Sequence, residues 1–303
     1  MKETTKKPFH KKFKKEITAY SLLIIPILWW GVFFLFAFFR AVYFSFTDMR
    51  FAVENITTFN LDNYTRLFQD KTFHRALLNT GIWMAVMTPV NNILGLIIAF
   101  FVFKLTRGRK LFLALLFWPT LVSAVTGAEV IKLVFNPSDT GLMNVIIQGF
   151  GGKPLGWYND PKIALLSLMV IPSLFGFSMQ MMLYYVALIG VPKTYIEAAR
   201  LETNSQFKVL WHVYLPLIKN TVSVNLVLSI ISDVKVLGPM QLVGDGTGGP
   251  LDSTMSIMLL LFNKGIAGFE MGYACAIGVV ALLIILLLTF IQRKLTGKGA
   301  DYD

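Results

Sequence analysis

The chain has 303 residues, 55% of them hydrophobic and 14% aromatic, with only 15% charged and a mean hydropathy of +0.63. Soluble domains run near a quarter charged, so these proportions exclude a soluble globular domain and a disordered chain; a disulfide scaffold falls because Cys275 is the only cysteine. The formal charge of +11 admits nucleic-acid binding or membrane orientation, and the placement of the basic residues decides between them.

A basic tail, residues 1–16, carries Lys2, Lys6, Lys7, Lys11, Lys12, Lys14 and Lys15. Residues 17–39 follow without a charged side chain, long enough as a helix to cross a ~30 Å hydrocarbon core. The tail resembles the start of a signal peptide, but the apolar run is too long and no small-x-small cleavage pattern follows, so it is expected to stay as an anchor. Further apolar runs cover residues 77–103, 111–135, 163–191, 221–243 and 271–291. The expected fold is therefore an all-α integral membrane bundle of six transmembrane helices. Its organisation reads as a tail (1–16), a first helix (17–46), a loop (47–76), a five-helix core (77–295) and a second tail (296–303).

Lys and Arg fall unevenly in alternate connections. One side holds the tail lysines with Lys104, Arg107, Arg109, Lys110, Lys193, Arg200, Lys208, Lys219, Arg293, Lys294 and Lys298, eighteen in all against eight on the other side. Short cytoplasmic loops carry the basic excess, so both termini are expected in the cytoplasm of a multi-pass cell-membrane protein. No single face gathers the charge, which excludes nucleic acid; the tail lysines are placed to meet anionic membrane lipid, at about 1 kcal/mol each.

On the opposite side, residues 47–74 are polar and mixed, with Asn55, Thr57, Thr58, Asn60, Asp62 and Asn63. Residues 136–160 carry Pro137, Gly141, Gly149, Gly151, Gly152, Pro154 and Gly156, which punctuate a loop rather than a helix. The cytoplasmic connection 192–219 differs. Tyr195, Ile196, Ala198, Ala199 and Leu201, then Phe207, Val209, Leu210 and Trp211, read as two short amphipathic helices around a turn at Glu202 to Ser205. Such a pair at a membrane surface is a docking device or a cover for the bundle.

Here the residues resemble a known family. Glu197-Ala198-Ala199 followed by Trp211-His212-Val213-Tyr214-Leu215-Pro216-Leu217 is similar to the "EAA" loop of permease subunits of binding-protein-dependent ABC importers. Phe117-Trp118-Pro119, Phe135-Asn136, Gly141-Leu142-Met143-Asn144, Val191-Pro192 and Thr247-Gly248-Gly249-Pro250 resemble its carbohydrate-uptake branch, specifically the larger maltose permease subunit. The resemblance implies a type I importer bundle with cytoplasmic coupling helices. It also implies a second homologous permease subunit, two cytoplasmic ATPase subunits, an extracytoplasmic solute-binding protein and a carbohydrate substrate. Glu197, Ala198, Ala199, Arg200, Leu201, Glu202, Thr203 and Asn204 are then the residues expected to couple to the ATPase. Small residues allow close approach of a helix to a groove, and one charge fixes register. The family's Asp-Gly is replaced by Glu202-Thr203, so either Asn204 takes the left-handed position or the turn is recast. Thr203→Gly is accordingly expected to be neutral or mildly helpful.

Enzymatic motifs are missing. No G-x-x-x-x-G-K-[ST] phosphate loop occurs, so no cofactor is expected on this chain, with ATP and Mg used by the partner ATPase. Gly244-Asp245-Gly246-Thr247-Gly248-Gly249 satisfies G-x-G-x-x-G only formally, without a preceding strand. His10, His74 and His212 fall in different loops, which excludes a three-histidine metal site. Polar side chains inside spans are costly and mark a solute path or a helix contact. Those expected on the path are Trp83, Asn91 and Asn92 near Pro89, Gln180, Tyr184 and Tyr185, then Asn225, Ser229, Ser232 and Asp233, with Lys235 beside them. Aromatic faces stack on sugar rings, and amides and hydroxyls answer sugar hydroxyls. An importer for another solute such as glycerol phosphate is the in-class alternative; a membrane enzyme or a passive channel is the alternative of a different class.

Overall fold

A computed structural model describes residues 9–50, 58–243 and 246–296, without the side chains of 9–19, 124, 125 and 242. Residues 1–8 of the basic tail, Asn55 and Thr57, Gly244 and Asp245 of the glycine motif, and residues 297–303 lie outside the described residues. The described residues are mainly helical and form no strand; Thr47 and Phe59 make an isolated antiparallel bridge.

Helix α1 (Phe9–Trp30) runs through a π-helical turn (Gly31–Phe36) into α2 (Ala37–Ser45). A short amphipathic α3 (Asp62–Gln69) buries Leu67 and leads into α4 (Lys71–Lys104). Asp70 starts α4 by accepting from the N–H of Thr72 at 2.8 Å and of Phe73 at 3.4 Å. At the other end Gly108 turns the chain with φ of 72°, and the Arg109 guanidinium donates to the carbonyls of Phe103 and Leu105. Helices α5 (Arg109–Phe117) and α6 (Ala124–Val134) then flank a 3₁₀ turn (Trp118–Leu121), and α7 (Leu142–Gly149) follows. Next come α8 (Ala164–Phe175), α9 (Ser178–Ile189), α10 (Lys193–Glu202) and α11 (Gln206–Val209). A π-helical turn (Leu210–Tyr214) and α12 (Leu215–Leu217) lead to α13 (Lys219–Val234), α14 (Gly238–Val243), α15 (Ile257–Phe262) and α16 (Met271–Thr296).

Five helical stretches among the described residues are long and apolar enough to cross a bilayer: Tyr20–Ser45, Lys71–Lys104, Ala164–Ile189, Lys219–Gln241 and Met271–Thr296. The expected third span is instead two helices, Arg109–Leu121 and Thr126–Val134, at 91° to each other. Pro119 opens the tight turn there, and the Ser123 hydroxyl caps the second helix by accepting from the Thr126 N–H. The expected fourth span breaks at Gly176 and Phe177, behind Pro172. The expected fifth breaks at Lys235 to Leu237, ahead of Gly238-Pro239, where the residue before a proline resists helix. The stretch 136–160 is not loop alone. Its apolar run between Gly141 and Gly149 winds into α7, and the fully buried Asn144 holds the flanking backbone through Ser138 O, Leu155 O and Leu155 N.

Two apolar clusters hold the bundle. One joins Leu67, Phe73, Trp83, Met87, Leu168, Ile257 and Tyr273; the other joins Phe100, Met181, Tyr184, Leu188, Val209, Leu210 and Tyr214. Helix α4 supplies both, and between its two contributions sit the buried polar residues Thr88, Asn91 and Asn92. Helix α13 buries Asn225, Ser229 and Asp233, four residues apart on one face, with Val234, and leaves Val224 and Leu228 exposed. In water this face would turn outward; in lipid the arrangement inverts, because the hydrocarbon takes the apolar side chains and the bundle interior takes the polar ones. Gly95 lets α4 and α9 approach closely: a Cβ there would lie 2.9 Å from Gln180 Cβ and 3.0 Å from Met181 N.

Candidate functional site

The polar faces of α4 and α13 meet α9 in a layer between the two apolar clusters. Thr88 donates its hydroxyl to Asp233 Oδ2 at 2.6 Å. Asn92 donates through Nδ2 to Thr88 O at 2.8 Å and to Ser229 Oγ at 2.9 Å, and its Oδ1 accepts from the Tyr184 hydroxyl at 2.9 Å. Gln180 donates to Ser229 Oγ at 3.1 Å, and Asn225 donates to the Gln180 carbonyl at 3.3 Å. Three buried amide oxygens in this layer, on Asn91, Gln180 and Asn225, have no hydrogen-bond partner. A buried acceptor without a donor costs about 1–3 kcal/mol, so the chain's own donors leave this layer incomplete.

A cavity of about 310 Å³ opens onto this layer, lined by Trp83, Met87, Asn91, Gln180, Ser229, Ser232, Asp233, Lys235 and the bend residues Pro172, Gly176 and Pro239. Of the residues expected on a solute path, Trp83, Asn91, Gln180, Ser229, Ser232, Asp233 and Lys235 are thus brought to one wall. Asn92, Tyr184 and Asn225 do not line it. They stand behind, the first two with their side chains spent in the network that holds Ser229 and Thr88. Tyr185 does not join the layer; it packs in the apolar cluster with Tyr184 and Leu188. Thr88, which fixes Asp233, was not among the expected residues, because a threonine beside a proline inside an apolar run carries no distinguishing signal. A larger groove of about 620 Å³ shares Pro172, Gly176 and Pro239, but Trp118, Ile131, Phe175, Met179 and other mainly apolar side chains line it.

The connection 192–219 forms the expected helix pair. On α10, Glu197, Ala198, Arg200, Leu201 and Glu202 are exposed, Leu201 at 91%, while Ile196 and Ala199 pack against the cluster containing Phe100 and Tyr214. The turn is recast. Thr203 is extended (φ −152°, ψ 139°), its Oγ1 accepts from the Ser205 N–H at 3.2 Å, and Asn204 is not left-handed. The Ser205 hydroxyl then caps α11. Phe207 and Trp211, both exposed, stack at 6.2 Å. This surface presents a helix with two small residues and two exposed carboxylates, Glu197 and Glu202, neither in an ion pair among the described residues, ahead of a flat aromatic pair.

No family model matches the chain. It is 30% identical over 286 residues to the probable ABC transporter permease protein YurN of Bacillus subtilis, covering 92% of this chain and 96% of that one. The chain belongs to the ABC transporter permeases. This permease is also 28% identical to the arabinooligosaccharides transport system permease protein AraP of Bacillus subtilis (94% and 90% covered). To the multiple sugar-binding transport system permease protein MsmF of Streptococcus mutans it is 26% identical (95% and 98% covered). Its fold is shared with a chain of a bacterial ABC transporter involved in the import of the acidic polysaccharide alginate, with a TM-score of 0.74 at 21% identity over 95% of the permease and 99% of that chain.

Proposed function

We propose that this permease forms half of the transmembrane path of an importer for a neutral sugar or oligosaccharide. The observation that carries it is the cavity wall of Trp83, Asn91, Gln180, Ser229 and Asp233, where amide, hydroxyl and carboxylate side chains border a space large enough for sugar units beside an indole. Sugar hydroxyls supply the missing donors, and a pyranose face stacks on an aromatic ring. Relatives named for arabinooligosaccharides and for multiple sugars support the substrate class.

The other half is a second homologous permease. Of two ATPase subunits, one docks on the loop 192–219 through Glu197, Ala198, Ala199 and the residues to Asn204, and both use ATP with Mg; the permease itself binds neither. A solute-binding protein delivers the sugar at the opposite face, and both termini lie in the cytoplasm. Alternating access moves the polar layer between the two sides while the apolar clusters above and below it open in turn. The test is uptake by the complete transporter, reconstituted with its binding protein, against neutral oligosaccharides and glycerol phosphate. ATP-dependent uptake of a neutral oligosaccharide is expected; uptake of glycerol phosphate alone would overturn the substrate class, and uptake without ATP the transport mode.

A further inference from the structure

The last basic residue of α4 does something a helix-terminal lysine rarely does. Such a side chain usually reaches for water, an acid or lipid phosphate. Lys104 forms no ion pair among the described residues. Its ammonium instead sits over three aromatic rings, 5.1 Å from the centre of Phe100, 5.8 Å from Phe103 and 5.4 Å from Tyr214. The rings meet edge to face, Phe100 and Tyr214 at 5.6 Å and Phe103 and Tyr214 at 5.7 Å. Two of them belong to α4. The third ends the π-helical turn of the loop 192–219 and is only 1% exposed.

This seat joins two elements that carry different tasks. Toward its other end α4 supplies Trp83 and Asn91 to the cavity wall, and the helix is continuous between cavity and seat. On the far side of the seat, Ile196 and Ala199 of α10 rest on the cluster that contains Phe100, Tyr214 and Leu210. The Arg109 guanidinium has already closed the carbonyl end of α4, so Lys104 is not needed as its cap. A cation held against rings from both sides ties them in one register, and the tie is stronger where water is excluded. We propose that Lys104 is a positioning residue that locks the end of α4 to Tyr214, so that a displacement of the cavity wall reaches the docking helix. The proposal rests on the reading of α10 as the ATPase-docking helix.

The experiment compares Lys104→Met, Lys104→Arg and Phe103→Leu in the complete transporter. Subunit assembly is measured by co-purification, and ATP hydrolysis with and without substrate-loaded binding protein. Lys104→Met keeps the stem but loses the cation. At unchanged assembly, its stimulated-to-basal ratio is expected to fall about fivefold, the shift that losing a partly exposed cation–π contact produces. Lys104→Arg, which stacks on rings as well, should keep the ratio within about twofold of wild type. A packing role alone would lower assembly and hydrolysis together and leave the ratio intact. If Lys104→Met fails to assemble, Phe103→Leu, which removes one ring only, decides: a lowered ratio supports the seat, an unchanged one overturns it. An unchanged ratio in Lys104→Met, or equal loss in Lys104→Arg, overturns it too. Absence of stimulation in the wild type would instead count against the transport reading itself.

Discussion

Asp233 is the one acidic side chain in the polar layer, and its surroundings define what it does. Its carboxylate is 8% exposed, accepts from Thr88 and borders the cavity with Lys235. Asp233→Asn preserves the shape and the bond from Thr88 but removes the charge-assisted acceptor, which is worth about 1.5–3 kcal/mol toward a hydroxyl. Initial uptake at limiting solute should drop about 10- to 100-fold with assembly intact; normal uptake would reduce Asp233 to a helix contact. At the other functional surface, Glu197→Lys leaves Ile196 and Ala199 packed but sets the wrong charge against a partner surface. Loss of ~3 kcal/mol weakens docking more than 100-fold, so ATPase co-purification and uptake should both fall. Thr203→Gly will not help, contrary to what the family's turn implies. Thr203 is extended and its hydroxyl holds Ser205, so glycine relieves no strain and adds unfolded-state entropy. A cost of about 0.5–1 kcal/mol in thermal stability is expected.

Among the elements, the contact between α4 and α9 is the tightest test of the packing. Gly95→Leu drives a side chain into Gln180 Cβ and the Met181 backbone, and separating the helices displaces Gln180 from the cavity wall. Overpacking of this kind costs about 1–3 kcal/mol, so a lowered melting temperature in detergent and a larger loss of uptake are expected together. A variant with wild-type melting and uptake would show that the close approach is dispensable. The apolar runs that form α4 and α16 were legible in the sequence, because uninterrupted hydrophobic length is what a bilayer selects. The breaks in the third, fourth and fifth spans were not, since Pro119, Pro172 and Pro239 are tolerated inside membrane helices and sequence alone does not say which of them, unlike Pro89, ends one. Helix α7 escaped for the opposite reason: the glycines at its two ends, Gly141 before it and Gly149 as its last residue, are the residues that also signal a loop. The polar face of α13 could be read residue by residue. Which side chains line the cavity and which brace it from behind could not, because that depends on the rotation of α4 against α9.

At the scale of the molecule, the surface is apolar where a soluble protein would be polar. Phe33, Phe34, Phe36, Leu286, Leu287 and Phe290 are all exposed, and along Tyr20–Ser45 only the terminal Ser45 is buried. Such a surface is stable only inside hydrocarbon, so what remains to be set is which end of the bundle faces which compartment. Two structural facts bear on it together. The loop 192–219, with Lys193, Arg200 and Lys208 exposed, lies at the same end of α4 as Lys104 and Arg109, while Asp70, Arg66 and Glu270 gather at the other end, where Arg66 pairs with Glu270 and the Tyr273 hydroxyl donates to Asp70. The guanidinium of Arg66 is held more firmly protonated by that bond to Glu270. Lys193, Arg200 and Lys208 form no ion pair among the described residues and so carry full weight in setting orientation, whereas Arg66 at the second end is balanced by Glu270 and weighs little. Reporter fusions placed after Asp303 and within residues 136–160 should therefore read opposite compartments, the first cytoplasmic. Neutralising Lys193, Arg200 and Lys208 together should weaken this bias, while neutralising Arg66 with Glu270 should leave it unchanged. The same reading from both fusions would mean that one of the three later stretches, Ala164–Ile189, Lys219–Gln241 or Met271–Thr296, does not cross the bilayer.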